Sequence, residues 1–458
     1  MTARRTHGTT HLLAGAYRPV AEEVTEHGLP VLGRLPAGLD GTLLRIGANP
    51  LGAHDPATDH AFAGDAMVHG LRLRDGRAEW YRNRWLRTDR VTRSLGELPT
   101  PGPAAGLCDN TNAGLVRHAG RTLALGDGGA LPFRLGEQLE TLARHDFDGT
   151  LPAGFAAHPV ADPLTGELHA VAHQFGQPQL TYLTVDARGR VSRAEPITVK
   201  GAPMVHAFSL TDRHAIIYDL PVTFDPSAAA AGSRVPYTWD EGHGARLGIL
   251  PRGGRDADVR WLEIDPCFVF HPVNAYEQGG RTVIDVIRHE RVFDRDPLHP
   301  GESTPALWRW TVDHRHGTVL ERRLDGRAQE FPRIDDRYAG SPNRWAVTVG
   351  LHPERAGALA GPELLRHDLL TGHTEVHRVG PGREAGEAVF VPRGAHAPEG
   401  DGWLLSLVHD TATDRGELIV LDSTRFSGPP VAVVPLPVRV PHGLHTQWVA
   451  NSQLCTGS

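Results

Sequence analysis

Hydrophobic and polar positions along this chain change over in short units. HGLRLRDGRAEWYRNRW (69–85), GLVRHAGRTLAL (114–125), LTYLTVDARGRVSR (180–193), RWTVDHRHGTVLERRL (309–324), GWLLSLVHD (402–410) and GELIVLDS (416–423) are alternating or β-branched runs. Several carry Asp-Gly or Arg-Gly at their centre, which predicts antiparallel hairpins. No long stretch keeps a clean 3.6-residue period. The best helical candidates, PFRLGEQLETLARH (132–145) and GALAGPELLRHDLL (357–370), are short. Hairpins every 10–20 residues over 458 residues predict a closed all-β architecture. A propeller removes the exposed strand edges that an open sheet of this size would present. No WD- or kelch-type repeat is visible, so an irregular propeller is expected. Gly (52) and Pro (36) are scattered rather than clustered, and AAAAGS at 228–233 reads as a surface loop. One domain over residues 1–458 is therefore expected.

Composition narrows the function. With 40% hydrophobic residues the chain can bury a large core. A net charge of -7 argues against nucleic acid, whose phosphates need a basic face. Cys108, Cys267 and Cys455 are far apart and form no CxxC, which points to a reduced, cytoplasmic protein without disulfides or a zinc-thiolate site. No apolar run approaches the ~20 residues that cross a bilayer, and MTARRTHGTTHLLAGAY lacks the apolar core of a signal peptide. Lys200 is the single lysine, and base bias toward arginine accounts for that.

Among 27 histidines, most are ordinary surface or hydrogen-bonded residues. Four differ because each borders an apolar, strand-like run: His158 (GFAAHPVADPLTGELH), His206 (APMVHAFSL), His271 (CFVFHPVNAY) and His445 (VPHGLHTQW). A histidine in such a run is costly unless both ring nitrogens are used, and metal coordination on one nitrogen with a carboxylate on the other uses both. Residues so far apart in sequence converge only where different strands meet on one axis, as the inner strands of a propeller do.

The words around these residues resemble one family. AGDAMVHGLRLRDGRAEWYRNRWLRT, AAHPVADPLTGELH, MVHAFSLTDRHAIIYDLP, YTWDEGHGARLGILPR, FVFHPVNAYE, EFPRIDDRYAG, GEAVFVPR and VPHGLHTQWV occur in the order found in carotenoid cleavage oxygenases. That family includes apocarotenoid oxygenases, stilbene oxygenases and the retinal pigment epithelium isomerohydrolase. The similarity runs from about residue 17 to 449, although the usual Asp-Gly-Asp-Gly is here Ala-Gly-Asp-Ala. It implies a seven-bladed β-propeller with a helical, loop-rich cap over the metal-bearing face. It also implies one Fe(II) held by His158, His206, His271 and His445. His442 falls on a position that is usually aromatic or apolar, so it is expected to be a neighbour and not a ligand. Glu330 and Glu387 match two of the three acids that support the ligand imidazoles. Asp127 stands where the third is usually glutamate, and is expected to serve despite being one methylene shorter.

The resemblance implies a dioxygenase that uses O2 to cleave one C=C bond into two carbonyl products. Four neutral imidazoles leave the charge of the ion uncompensated, and the acids behind them supply it at one remove. Trp85, Phe208, Phe270 and Trp448 are candidate walls for an apolar substrate cavity. Members that cleave hydroxystilbenes carry a lysine before the first acid and a tyrosine in the strand near RNRWLRT. Gly126 and Trp85 stand there in this chain, which favours a carotenoid or apocarotenoid. Such a substrate implies transient contact with a membrane surface. Four alternatives are a stilbene- or phenylpropenoid-cleaving relative, a non-cleaving isomerase, an inactive binding propeller, and a zinc or calcium propeller hydrolase. Calcium prefers oxygen ligands and catalytic zinc three protein ligands, so four histidines fit the last poorly.

Overall fold

The computed structural model describes residues 8–9, 13–54, 59–104, 108–109, 111–296 and 301–451, so Cys455 and most of the first twelve residues lie outside it. Seven antiparallel sheets form the blades of a propeller. Blade 2 holds Gly114–His118, Arg121–Leu125, Phe133–Leu135 and Thr141–Arg144 from the inside out. Blade 3 holds Val160–Ala161, Leu168–His173, Gln179–Val185 and Val191–Thr198. Ser209–Leu210, His214–Asp219, Arg246–Pro251 and Arg260–Glu263 make blade 4. Pro272–Gln278, Arg281–Arg288, Ala306–Asp313 and Thr318–Asp325 make blade 5. Blade 6 is Gln329–Arg333, Trp345–Gly350, Glu363–Asp368 and Thr374–Arg378.

The ring closes twice. The inner strand of blade 1, Thr446–Ala450, comes from the far end of the chain and pairs with Gly41–Ala48, followed outward by Ala66–Arg74, Arg77–Trp85 and Thr25–Leu29. Blade 7 (Arg383–Pro392, Gly402–Asp410, Arg415–Asp422, Ala432–Pro435) gains its outermost strand, Leu32–Gly33, from the other end.

Each interface between neighbouring blades contains its own apolar cluster. This explains the unbroken apolar runs. In His214–Asp219, Ala215 and Ile217 pack toward blade 3, while Ile216 and Tyr218 pack toward blade 5. A strand buried on both faces loses its alternation. Outer strands keep it: Val191–Thr198 reads as alternately half-buried and exposed over its first six residues.

Three segments differ from the sequence expectation. PFRLGEQLETLARH forms the two outer strands of blade 2, linked by a turn in which Leu139 takes a positive φ of 67°. GALAGPELLRHDLL supplies the third strand of blade 6. In both, pairing with a neighbouring strand overrides a weak local helical tendency. AAAAGS overlaps a short helix, Pro226–Ala230, which Asp225 caps by accepting from the N–H groups of Ser227 and Ala228. We call it α2. The other helix, α1, is Asp89–Leu95; the Thr88 hydroxyl caps its start and Gly96 ends it in the left-handed region. Among the described residues these are the two α-helices, seven and five residues long, and residues of both line the cavity described below.

Candidate metal centre

The inner strands fix the centre. His158, His206, His271 and His445 each stand one to three residues before the inner strand of blades 3, 4, 5 and 1. One ligand atom from each lies within 4.8 Å of the other three. Their rings are 4.3 Å (His158–His206), 4.5 Å (His158–His445) and 4.7 Å (His271–His445) apart, with T-shaped geometry.

Carboxylates turn these rings. His206 Nδ1 is 2.6 Å from Asp127 Oδ2, His271 Nδ1 is 2.6 Å from Glu330 Oε2, and His445 Nδ1 is 3.0 Å from Glu387 Oε1. A carboxylate accepts, so each Nδ1 donates, and Nε2 is the nitrogen left to bind a cation. The Nε2 atoms of His158, His271 and His445 are buried and make no protein hydrogen bond. Burial and mutual repulsion hold His158 well below the usual imidazole range, and burial takes His445 down to about 4. Buried ring nitrogens without a protein partner, gathered around one centre, fit a cation.

The acids come from the three blades that carry no clustered histidine: Asp127 follows the second strand of blade 2, and Glu330 and Glu387 lie in the inner strands of blades 6 and 7. Burial alone would raise all three carboxyls. The paired imidazoles more than reverse this, taking Glu387 down to about 2 and holding Asp127 and Glu330 below the usual range. Asp127 reaches His206 directly, and its second oxygen accepts the N–H of Ala157 beside His158 at 3.1 Å. Glu330 also accepts from His289 Nε2 at 3.0 Å, a partner that no sequence motif had marked. Arg333 bridges Glu387 (3.6 Å) and the carbonyl of Thr446 (2.8 Å), the residue after His445.

His442 sits apart from the cluster. Its ring packs edge-on to Tyr17 at 5.3 Å, and Nε2 lies 3.5 Å from Glu384. Between the two histidines, Gly443 passes over Gly47; a Cβ on Gly443 would lie 3.0 Å from Gly47 Cα. The close approach lets Leu444 N–H bond Ile46 O and the His445 carbonyl accept from Ile46 N–H, fixing where His445 points.

Above the cluster lies a cavity of about 1050 Å³, lined by Phe62, Phe175, Met204, Phe224, Phe270 and Phe331 among others, with α1 and the end of α2 at its edge. Of the four aromatics proposed from sequence, only Phe270 lines it. Trp85 packs with Met67 and Val91, its indole N–H on the Asn49 carbonyl. Phe208 turns into the blade 3–4 interface and Trp448 packs at the blade 7–1 interface. Trp448 leaves the axis because it lies within the strand Thr446–Ala450, whose faces point to the neighbouring blades, and Phe208 stands just before Ser209–Leu210 with its ring already in the same kind of interface.

The sequence model of the retinal pigment epithelial membrane protein family matches residues 17–450. A carotenoid cleavage oxygenase of Mycobacterium tuberculosis is 42% identical, covering 98% of this chain and 100% of that one. The chain belongs to the carotenoid oxygenase family. As a carotenoid oxygenase it is an enzyme of the dioxygenase class. An isoeugenol monooxygenase of Pseudomonas putida is 31% identical, covering 96% of this chain and 98% of that one. The crystal structure of Pseudomonas brassicacearum lignostilbene dioxygenase superposes with a TM-score of 0.87 at 30% identity, over 96% of this chain and 98% of that one. No helix among the described residues is long and apolar enough to cross a membrane.

Proposed function

We propose that this carotenoid oxygenase holds one Fe(II) on His158, His206, His271 and His445 and cleaves a C=C bond of a carotenoid or apocarotenoid with O2, giving aldehyde or ketone products. The observation that carries the reading is the set of four histidines with one ligand atom each within 4.8 Å of the others, while Asp127, Glu330 and Glu387 occupy the Nδ1 side of three of them. A ferrous ion there would supply the redox chemistry that activates O2. The residues themselves orient the ligands, balance the charge and exclude water. Phe270, edge-on to His206 at 5.6 Å, and the other cavity phenylalanines would hold an apolar polyene beside the centre.

Cavity volume and lining favour the long polyene over a small phenol. Ligand pockets run to roughly 1,000 Å³, and this one is at the upper end. Among the described residues that line it there is no lysine and no tyrosine, the groups that would bind and activate a hydroxystilbene. A cleaved phenylpropenoid or stilbene is the second reading, favoured by the names of the 30–31% relatives. We further propose that the cytoplasmic enzyme touches membranes transiently beside α1, where Leu98 is 89% exposed and Arg90 and Arg93 reach the cavity edge.

The test is aerobic incubation of iron-loaded protein with apocarotenals, carotenes and stilbenes, reading products by mass and following 18O from O2. Aldehydes from a polyene carrying label are expected. Turnover of hydroxystilbenes alone would transfer the enzyme to the second reading, and unlabelled geometric isomers would make it an isomerase.

A further inference from the structure

We propose that His214, Glu277 and His314 form a second metal site, of the zinc class, that clips blades 4 and 5 together on the face opposite the four-histidine cluster. The face follows from chain direction. Inner strands begin at the cluster, so the turn before His214, the end of Pro272–Gln278 and the end of Ala306–Asp313 all lie at the other rim. Glu277 is six residues along its strand from His271, roughly 20 Å away at ~3.3 Å per residue.

One ligand atom from each of the three residues lies within 4.8 Å of the others. His214 Nδ1 is 2.8 Å and His314 Nε2 3.8 Å from the Glu277 carboxylate. Tetrahedral ligands at ~2.1 Å from zinc stand ~3.4 Å apart, between those two distances. The imidazole rings stack at 5.4 Å with 24° between their planes, His214 Nδ1 facing one Glu277 oxygen and His314 Nε2 the other. Thr211 and Thr282 hydroxyls lie 3.0 Å from the same carboxylate, where they orient it as outer partners do in metal sites. The side chains are 21%, 17% and 27% exposed, which leaves a path for an ion and a position for water. Two imidazoles and one carboxylate suit zinc, cobalt or nickel and are poor for calcium. The competing arrangement is a hydrogen-bonded clamp, with Thr282 Oγ1 2.7 Å from His314 Nε2, that holds no ion.

Zinc content decides between them. Full-length protein is stripped with chelator, equilibrated with buffered Zn2+ and analysed by mass spectrometry. Wild type should hold one more equivalent than Glu277→Gln or His314→Ala, whatever the four-histidine cluster binds. His271→Ala should keep the extra equivalent. Equal zinc in wild type and the rim variants overturns the proposal, as does loss of all zinc in His271→Ala. Circular dichroism checks that each variant is folded; Glu277→Gln, nearly isosteric, carries the comparison if His314→Ala is not.

Discussion

Replacing Glu330 by glutamine removes one acceptor from a group that uses both. One oxygen faces His271 Nδ1 at 2.6 Å and the N–H of Phe331; the other faces His289 Nε2 at 3.0 Å. Glutamine offers one oxygen and one NH2. With its oxygen toward His271, the NH2 confronts His289 Nε2. The His289 ring must then move its proton to Nδ1, which is buried without a hydrogen-bond partner. That costs about 1–3 kcal/mol of stability. Losing the charge behind His271 lowers metal affinity about 10–100-fold, or roughly 1.4–2.7 kcal/mol. Fe(II) binding measured by chelator competition and stability by urea unfolding read the two effects separately. Both should change, with turnover falling in step with iron occupancy at limiting iron. If Glu330→Gln binds iron within twofold of wild type, the carboxylate does not support the ligand in the way argued here.

Other substitutions test neighbouring parts. His445→Ala should empty the centre, and His442→Ala should leave iron content unchanged; metal analysis giving the opposite pair would reverse the assignment of these two histidines. Asp127→Asn leaves either His206 or the Ala157 N–H facing a donor, so iron should bind about 10–100-fold more weakly. Asp127→Glu adds length to a contact already at 2.6 Å and should give no tighter binding. His69, buried against the Tyr81 hydroxyl at 2.8 Å, is held down to about 3 from 6.5 by burial and then by Arg45. The unfolded chain takes up that proton below pH 6.5 and the folded chain only near 3, so stability falls as pH falls through this window. The loss from His69 is about 2 kcal/mol at pH 5. Urea unfolding at pH 7 and 5 should show a shallower decline in His69→Gln.

Hairpins and the four clustered histidines were legible in the sequence because local rules govern them: turn residues pair adjacent strands, and a histidine beside an apolar run advertises an unusual use. The supporting acids obey no such rule. Glu330, Glu387 and Asp127 lie 59, 58 and 79 residues from the histidines they hold, so only family resemblance marked them. His289 escaped altogether, since its partner belongs to the next blade. The cavity walls were least legible. Phe208, two residues past His206, is 1% exposed in a blade interface, while Phe62 and Phe224 reach the cavity from a distant 3-10 turn and a short ribbon.

The strand Thr446–Ala450 completes blade 1 with residues made after every other strand described, and His445 arrives with it. A chain cut before residue 445 has the strands of the other six blades but only three of the four imidazoles. Gathering all four imidazoles therefore coincides with sealing of the ring, so any ion held by all four depends on a finished fold.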